Sequence, residues 1–301
     1  MTEHLGNASH ENPSPPSGSF RSVLVATDLS DDSDLLVQTA AQIASRSGAA
    51  LHVVHSADVL SAGSLGTSGS FAERVTAAEG EVDRQISRVV PGDVAAQRHV
   101  GASAPDRTIM EHAERVAADL IVLGPHVRRE APSRLLGTTA EQVLSGAGVP
   151  CLVVRMPVRA PVRHVTAAVD PSHRVSAVLG AAIRWTLLFG DAESSGRPPR
   201  LSALYITGNQ DDGPPPALTQ AVRDALDRSG AGERVDAVVA VRGTHVVESI
   251  VLYTEVESSD LLVLSTHNRG MLGRALLGSV SAEVTRRAPC NVLLVPPGTE
   301  D

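Results

Sequence analysis

One stretch of this sequence occurs twice, and that repetition limits what the chain can fold into. Residues Asp119–Arg155 read DLIVLGPHVRREAPSRLLGTTAEQVLSGAGVPCLVVR, and Asp260–Pro296 read DLLVLSTHNRGMLGRALLGSVSAEVTRRAPCNVLLVP. Aligned without a gap, Asp119 meets Asp260, His126 meets His267, Gly137 meets Gly278 and Val154 meets Val295. Each copy opens on an apolar run, Leu120–Leu123 or Leu261–Leu264, with the composition of a buried parallel strand. After a long loop, Gly137-Thr138 or Gly278-Ser279 opens a helix, and a second apolar run, Cys151–Val154 or Val292–Val295, closes the unit. A helix that starts on glycine and a hydroxyl residue offers unpaired backbone N–H groups to an anion, typically a phosphate. Two copies in 301 residues point to two domains of ordinary size.

The segments before each copy follow one plan. Residues 1–20, rich in Pro, Ser, Gly and Asn, read as a disordered tail. The first domain is expected over 21–156, a linker over 157–162, the second domain over 163–297 and a short tail over 298–301. VLVATD, ending at Asp28, is a strand; Ser30 can cap a helix with Leu36, Ala40, Ile43 and Ala44 on its inner face, and Gly48 stops it. Leu51–His55 is a second strand, Ser61–Ser70 an excursion, Phe71–Val90 a helix, Gln97–Val100 a strand, and Ala104-Pro105 opens a helix through Ile109, Ala113 and Val116. In the second half, Val165–Asp170 is a strand, and Ser172 caps a helix with Leu179, Ile183 and Leu187 inward. Leu201–Ile206 is a strand, Ala217–Arg228 a helix, Val238–Val241 a strand, and a helix follows through Val247, Ile250 and Val251. Strands and helices alternate, the pattern of a doubly wound α/β domain.

Composition narrows the chemistry. Apolar residues make up 42% but aromatic residues only 2%, so the cores must be aliphatic. The net charge of −8 opposes a sequence-independent grip on nucleic acid or an anionic membrane. All 26 basic residues are arginine. Without lysine there is no Walker-type lysine, no Schiff base and no lysine general base. Cys151 and Cys290 read as small buried hydrophobes, with no disulfide framework or metal cluster around them. With no signal sequence and no apolar run near the length of a membrane span, the expectation is a cytoplasmic protein.

The loop between strand and helix carries the resemblance. Gly124, Val127, Gly137 and Thr138 in the first copy, and Ser265, Asn268, Gly278 and Ser279 in the second, keep the spacing Gly-x2-Gly-x9-Gly-(Ser/Thr). In this the chain resembles the universal stress protein family, over about 21–156 and 163–297. The middle glycine is replaced in both copies, by Val127 and by Asn268. The resemblance implies two flavodoxin-like (adenine nucleotide α-hydrolase-like) α/β domains. Each is a five-stranded parallel sheet of order 3-2-1-4-5, and the two pair about a pseudo-two-fold axis through their fifth strands. It also implies stress-linked binding or sensing of an adenine nucleotide, ATP, which Mg can accompany. The partners are then that nucleotide and the internal domain pair, with room for a homodimer. The alternative is a stress scaffold that binds no nucleotide and acts through protein interactions or another small ligand.

The residues that would hold a nucleotide follow by position. Asp28 and Asp170 end the first strand of each half, where the family places an Asp beside adenine and ribose; either carboxylate can equally cap the following turn. Ser56 and Ile206 follow at the second strand, where contact is through the main chain. Gly124, Gly137 and Thr138, with Ser265, Asn268, Gly278 and Ser279, complete the two sets. Val127 is poorly suited to positive φ, and Asn268 tolerates it, so the second half should bind first. Arg128, Arg129, Arg134, Arg269 and Arg274 lie in the two loops and could meet phosphate, though solvated loop arginines are the commoner case. His126 and His267 have no nucleophile or partner base at informative spacing, so no catalytic residue is assigned and hydrolysis should be slow or absent. His52 and His55, three apart on a strand, lie on opposite faces and cannot pair as ligands.

Overall fold

The computed structural model describes residues 19–57, 70–125, 136–170, 175–190, 199–207, 213–229, 235–266 and 277–296. The first half runs β1 Ser22–Thr27, α1 Asp31–Ser47, β2 Ala50–Ser56, α2 Phe71–Val89, β3 Ala96–Gly101, α3 Pro105–Arg115, β4 Leu120–Leu123, α4 Thr138–Gly146 and β5 Cys151–Val153. The second runs β6 His164–Ala168, α5 Val175–Phe189, β7 Arg200–Thr207, α6 Pro216–Ser229, β8 Val235–Arg242, α7 Val246–Val256, β9 Leu261–Ser265, α8 Ser279–Arg287 and β10 Asn291–Val295.

Local chemistry explains the ends of these elements. The Ser30 hydroxyl accepts from the Ser33 N–H, Asp31, Asp32 and Asp34 sit on the positive end of α1, and Gly48 closes it at φ 69°. Ser70 and Glu73 form a reciprocal capping box on α2. The repeated aspartates have a structural use. Asp119 accepts from the backbone N–H groups of Arg21 and Ser22 at 2.8 and 3.1 Å, and Asp260 does the same for Arg163 and His164 at 2.7 and 3.1 Å. Each carboxylate thereby pins the start of the first strand of its half beside the fourth.

All ten strands form one sheet, in the order β3-β2-β1-β4-β5-β10-β9-β6-β7-β8. Each half is parallel and ordered 3-2-1-4-5, and the halves meet antiparallel through β5 and β10. The register at that seam is isologous. Leu152 faces Leu293, its own counterpart in the repeat, while Val153 faces Val292 and Cys151 faces Leu294. The pseudo-two-fold axis therefore passes between Leu152 and Leu293. Two aliphatic layers cover the sheet, and both cross the seam. Leu36, Val37, Leu179, Ile183 and Leu218 belong to one, from α1, α5 and α6. Ile109, Val143, Ile250 and Val284 belong to the other, from α3, α4, α7 and α8.

Three expectations need correction. Leu187 is 48% exposed and does not face inward, because the buried stripe of α5 continues through Ala182, Trp185, Thr186 and Phe189. Position 187 has rotated off that stripe, since eight residues at 3.6 per turn overshoot two full turns. Val116 lies just past the last residue of α3, and the first strand of each half ends early: β1 stops at Thr27, leaving Asp28 beyond it, and β6 at Ala168, leaving Val169 and Asp170 beyond it. Ser172, most of the 61–70 excursion, and His126, His267, Val127, Asn268 and the five loop arginines lie outside the described residues.

Candidate functional site

At the carboxyl ends of β6, β7 and β9 the second half holds a cavity of about 440 Å³. Asp170, Ile206 and Ser265, three residues singled out from sequence, line it together. Gly278 is the N-cap of α8, at φ −60° and ψ 147°, and makes no side-chain cap bond. Ser279 is the first residue of that helix and exposed, while the next two, Val280 and Ser281, line the cavity. The Ser281 hydroxyl donates to the Ser265 carbonyl at 2.7 Å and ties the helix start to the end of β9. An anion entering from the rim would thus meet the positive end of α8. Among the described residues, Asp170 is the one charged side chain in the lining.

The first half is built differently at the same place. Val23 pairs with Leu51 and Leu120, and Val165 with Leu201 and Leu261, so the registers equate Thr27 with Val169, His55 with Tyr205 and Ser56 with Ile206. Thr27 donates to the Gln85 side-chain carbonyl at 2.8 Å and accepts from the Leu29 N–H at 3.0 Å, holding Leu29 at φ 65°. His55 Nδ1 lies 2.9 Å from the Thr27 carbonyl, and the Ser56 hydroxyl donates to the Ser103 carbonyl at 2.6 Å. The Asp28 carboxylate accepts from the Ser30 N–H at 3.0 Å, from the Ser30 hydroxyl at 2.6 Å and from the Ser33 hydroxyl. Here Asp28 orders the turn into α1. Gly137 caps α4 and donates its N–H to the Pro125 carbonyl at 3.0 Å, with half-buried Gly124 beside that turn and exposed Thr138 opening the helix. The structure thus brings Asp170, Ile206 and Ser265 to one cavity, and engages Asp28 and Ser56 in local hydrogen bonds.

Val169, Val175, Val178 and Tyr205 also line the second-half cavity, and sequence reading passed over them. A signal existed: Val169 stands where the first half has Thr27, and Val175 where it has Ser33. Gly243, just past β8, packs against the same region. A Cβ there would come within 2.0 Å of the Ser249 hydroxyl and 3.5 Å of the Ile206 side chain.

Other titratable groups are structural. Burial pushes the Cys151 and Cys290 thiols up to about 12, which keeps both protonated and unreactive. Among the described residues, no three His, Cys, Asp or Glu side chains are placed to hold a metal ion. His52 and His55 have separate partners. His52 Nδ1 lies 3.0 Å from His99 Nε2, and the His99 and His112 rings stand 5.2 Å apart. Arg115 lies 3.0 Å from His112 Nε2. Burial first, and then the cations of His112, His52 and Arg115, lower His99 from 6.5 to about 4. A histidine lowered on folding binds its proton more weakly in the native state than in the unfolded chain. The stability it confers is therefore complete above pH 6.5 and is lost as the pH falls towards 4. The urea midpoint should fall across that window, and His99→Gln should flatten the fall; an unchanged slope in the variant would show that other groups drive it.

With the geometry described, comparison with known proteins can be stated. The family model of the universal stress protein family matches residues 19–155 and again 162–296. A universal stress protein of Methanocaldococcus jannaschii is 28% identical over 142 residues, which is 46% of this chain and 84% of that one. The crystal structure of a universal stress protein from Archaeoglobus fulgidus DSM 4304 superposes with a TM-score of 0.66 at 20% identity, over 94% of this chain and 98% of that one. A functionally unknown protein from Pseudomonas aeruginosa PAO1 superposes with a TM-score of 0.67 at 16% identity, over 93% and 94%. The matched segments take in both copies of the repeat and every strand of the sheet, and the chain belongs to the universal stress protein family.

Proposed function

We propose that this protein binds an adenine nucleotide, ATP in the first instance, in its second half, as part of a cytoplasmic stress response. The observation that carries the reading is the 440 Å³ cavity at the carboxyl edge of β6, β7 and β9, with Asp170, Ile206 and Ser265 in its wall and the start of α8 at its rim. Ligands of open α/β sheets sit at that edge, where strand order reverses. Gly278 and Ser279, with Asn268 in the preceding loop, supply the phosphate end of the site, and Mg can accompany the nucleotide. Gly124, Gly137, Thr138, Asp28 and Ser56 form the weaker counterpart in the first half. Binding or sensing is the proposed role, with turnover slow or absent.

Replacing Gly278 by Val puts branched carbons over the first N–H groups of α8. Titration calorimetry with ATP should lose its binding signal in Gly278→Val and keep it nearly intact in Gly137→Val. The reverse order, or equal binding in both variants, sinks the assignment. Denaturing freshly purified protein and identifying any released nucleotide tests the same reading without a mutation.

A further inference from the structure

Beneath α3 the first half brings three histidines and an arginine together, and their bonds fix the protonation each ring must have. His112 Nδ1 lies 2.9 Å from the Thr108 carbonyl, which only accepts, so that nitrogen carries a proton. The Arg115 guanidinium, 3.0 Å from His112 Nε2, only donates, so Nε2 must be bare. Between His52 Nδ1 on β2 and His99 Nε2 on β3, 3.0 Å apart, one ring donates and the other accepts. A second proton on His112 therefore sets an N–H against the guanidinium, and one on the accepting ring of the other pair sets N–H against N–H. Both bonds are lost, and the new cations stand side by side. Among the described residues no carboxylate is hydrogen-bonded to these rings. Asp119 holds the start of β1, Glu141 of α4 pairs with Arg286, and Glu111 and Glu114 of α3 are exposed. Arg98, on the other face of β3, pairs with Asp83 and Glu79 of α2.

The second half is built without this arrangement. Strand registers and the repeat put Ser202, Val239 and Tyr253 where His52, His99 and His112 stand. The histidine it does place there, His164 of β6, has Nδ1 3.2 Å from the Glu257 carbonyl and Nε2 2.9 Å from the Ser202 hydroxyl. A hydroxyl accepts as well as donates, so His164 can take a second proton and keep both bonds.

We propose that His52, His99, His112 and Arg115 form an acid-opened latch, which holds α3 and the edge strand β3 on the first half at neutral pH and releases them on acidification while the second half stays closed. Strand β3 ends the sheet and pairs with β2 alone among the described strands, so it can leave without breaking a second ladder. Burial lowers His52, and burial with the cations of His112, His52 and Arg115 lowers His99 from 6.5 to about 4. Release lets His99 take its proton at its ordinary value, which favours opening by at least about tenfold near pH 5. The stability lost through His99 is then lost locally.

Hydrogen–deuterium exchange of the full chain, read by mass spectrometry at about pH 7.5 and about pH 5 and corrected for the intrinsic effect of pH on exchange, tests this. Protection over 96–115 should fall at least about tenfold more than over the matching segment 235–256. Equal losses in the two segments, or no loss over 96–115, overturn the inference. In the double variant H99Q/H112Q the difference between the segments should shrink to about threefold or less, because glutamine hydrogen-bonds without titrating. A difference that persists undiminished assigns the opening to other groups and also overturns the inference. The comparison of segments in the unaltered chain needs no variant, so it decides the matter even if H99Q/H112Q folds poorly.

Discussion

Residues 21–156 expressed alone should form a dimer or an aggregate and not persist as a stable monomer. Strand β5 is three residues long and pairs on both sides, with β4 and with β10. Removing the second half bares its outer edge, where Cys151, Leu152 and Val153 are 2% exposed or less in the full chain. An open apolar edge recruits another strand. The natural recruit is a second copy, because the β5–β10 register already pairs Leu152 with its own counterpart. Both aliphatic layers also cross the seam, so the separated half loses burial on each face of the sheet. Sedimentation velocity at several concentrations measures the outcome. A monomer that melts near the temperature of the full chain would contradict the view that the halves stabilise each other.

Asn291→Ala should be the most damaging single polar substitution at the seam. Asn291 is 2% exposed, and its carboxamide replaces a strand partner for the chain leaving β5. Its Oδ1 accepts from the N–H groups of Arg155 at 2.8 Å and Met156 at 3.1 Å, and its Nδ2 donates to the Met156 carbonyl at 3.1 Å. Alanine would leave those backbone groups without these bonds, at about 1–3 kcal/mol for each one that water cannot reach. A loss of about 3 kcal/mol is expected, read from urea unfolding of the full chain. Asn291→Asp keeps both acceptor contacts and loses the donor, so it should fall between alanine and the native residue. A change below about 0.5 kcal/mol in the alanine variant, the range of ordinary surface substitutions, would show that water replaces the side chain.

The seam also shows where the two halves stop being copies. Asn291 stands opposite Pro150 in the repeat, and a proline cannot make the reciprocal bonds. Arg155 stands opposite Pro296. The Arg155 guanidinium donates to the Thr285 and Arg286 carbonyls at the end of α8, and burial lowers its pKa. Glu141 of α4 pairs with Arg286 of α8, and the Leu277 N–H donates to the Ser145 hydroxyl at 3.3 Å. A two-fold seam joined by unlike residues holds one chain's halves together more selectively than it would hold two identical halves. No described helix is long and apolar enough to cross a membrane.

Much of the architecture was legible before any coordinate. Continuous apolar runs located the strands, helical spacing of inward residues located the helices, and capping at Ser30 and Gly48 could be read directly, because these signals are local. The repeat of Asp119–Arg155 in Asp260–Pro296 announced two like units, and the family resemblance supplied strand order and the pairing of fifth strands. Leu187 was misread because a long, uniformly apolar helix carries no clear stripe; its inner face is chosen by what it packs on. The roles of Asn291 and Arg155 were not legible at all, since their partners lie more than a hundred residues away in sequence.

By itself, then, the sequence determined the class of fold, its duplication, the aliphatic character of its cores and the absence of lysine chemistry. Each of these depends on composition, on short-range periodicity or on direct repetition of the sequence. What equivalent positions of the two halves do was decided by tertiary structure. Val169, Val175 and Ile206 differ only modestly from Thr27, Ser33 and Ser56 as isolated residues. Once the strands align them around one point, the first-half hydroxyls bond to the Gln85 side chain, the Asp28 carboxylate and the Ser103 carbonyl, whereas Val169, Val175 and Ile206 have no such bonds to make and line the second-half cavity between β6, β7, β9 and α8.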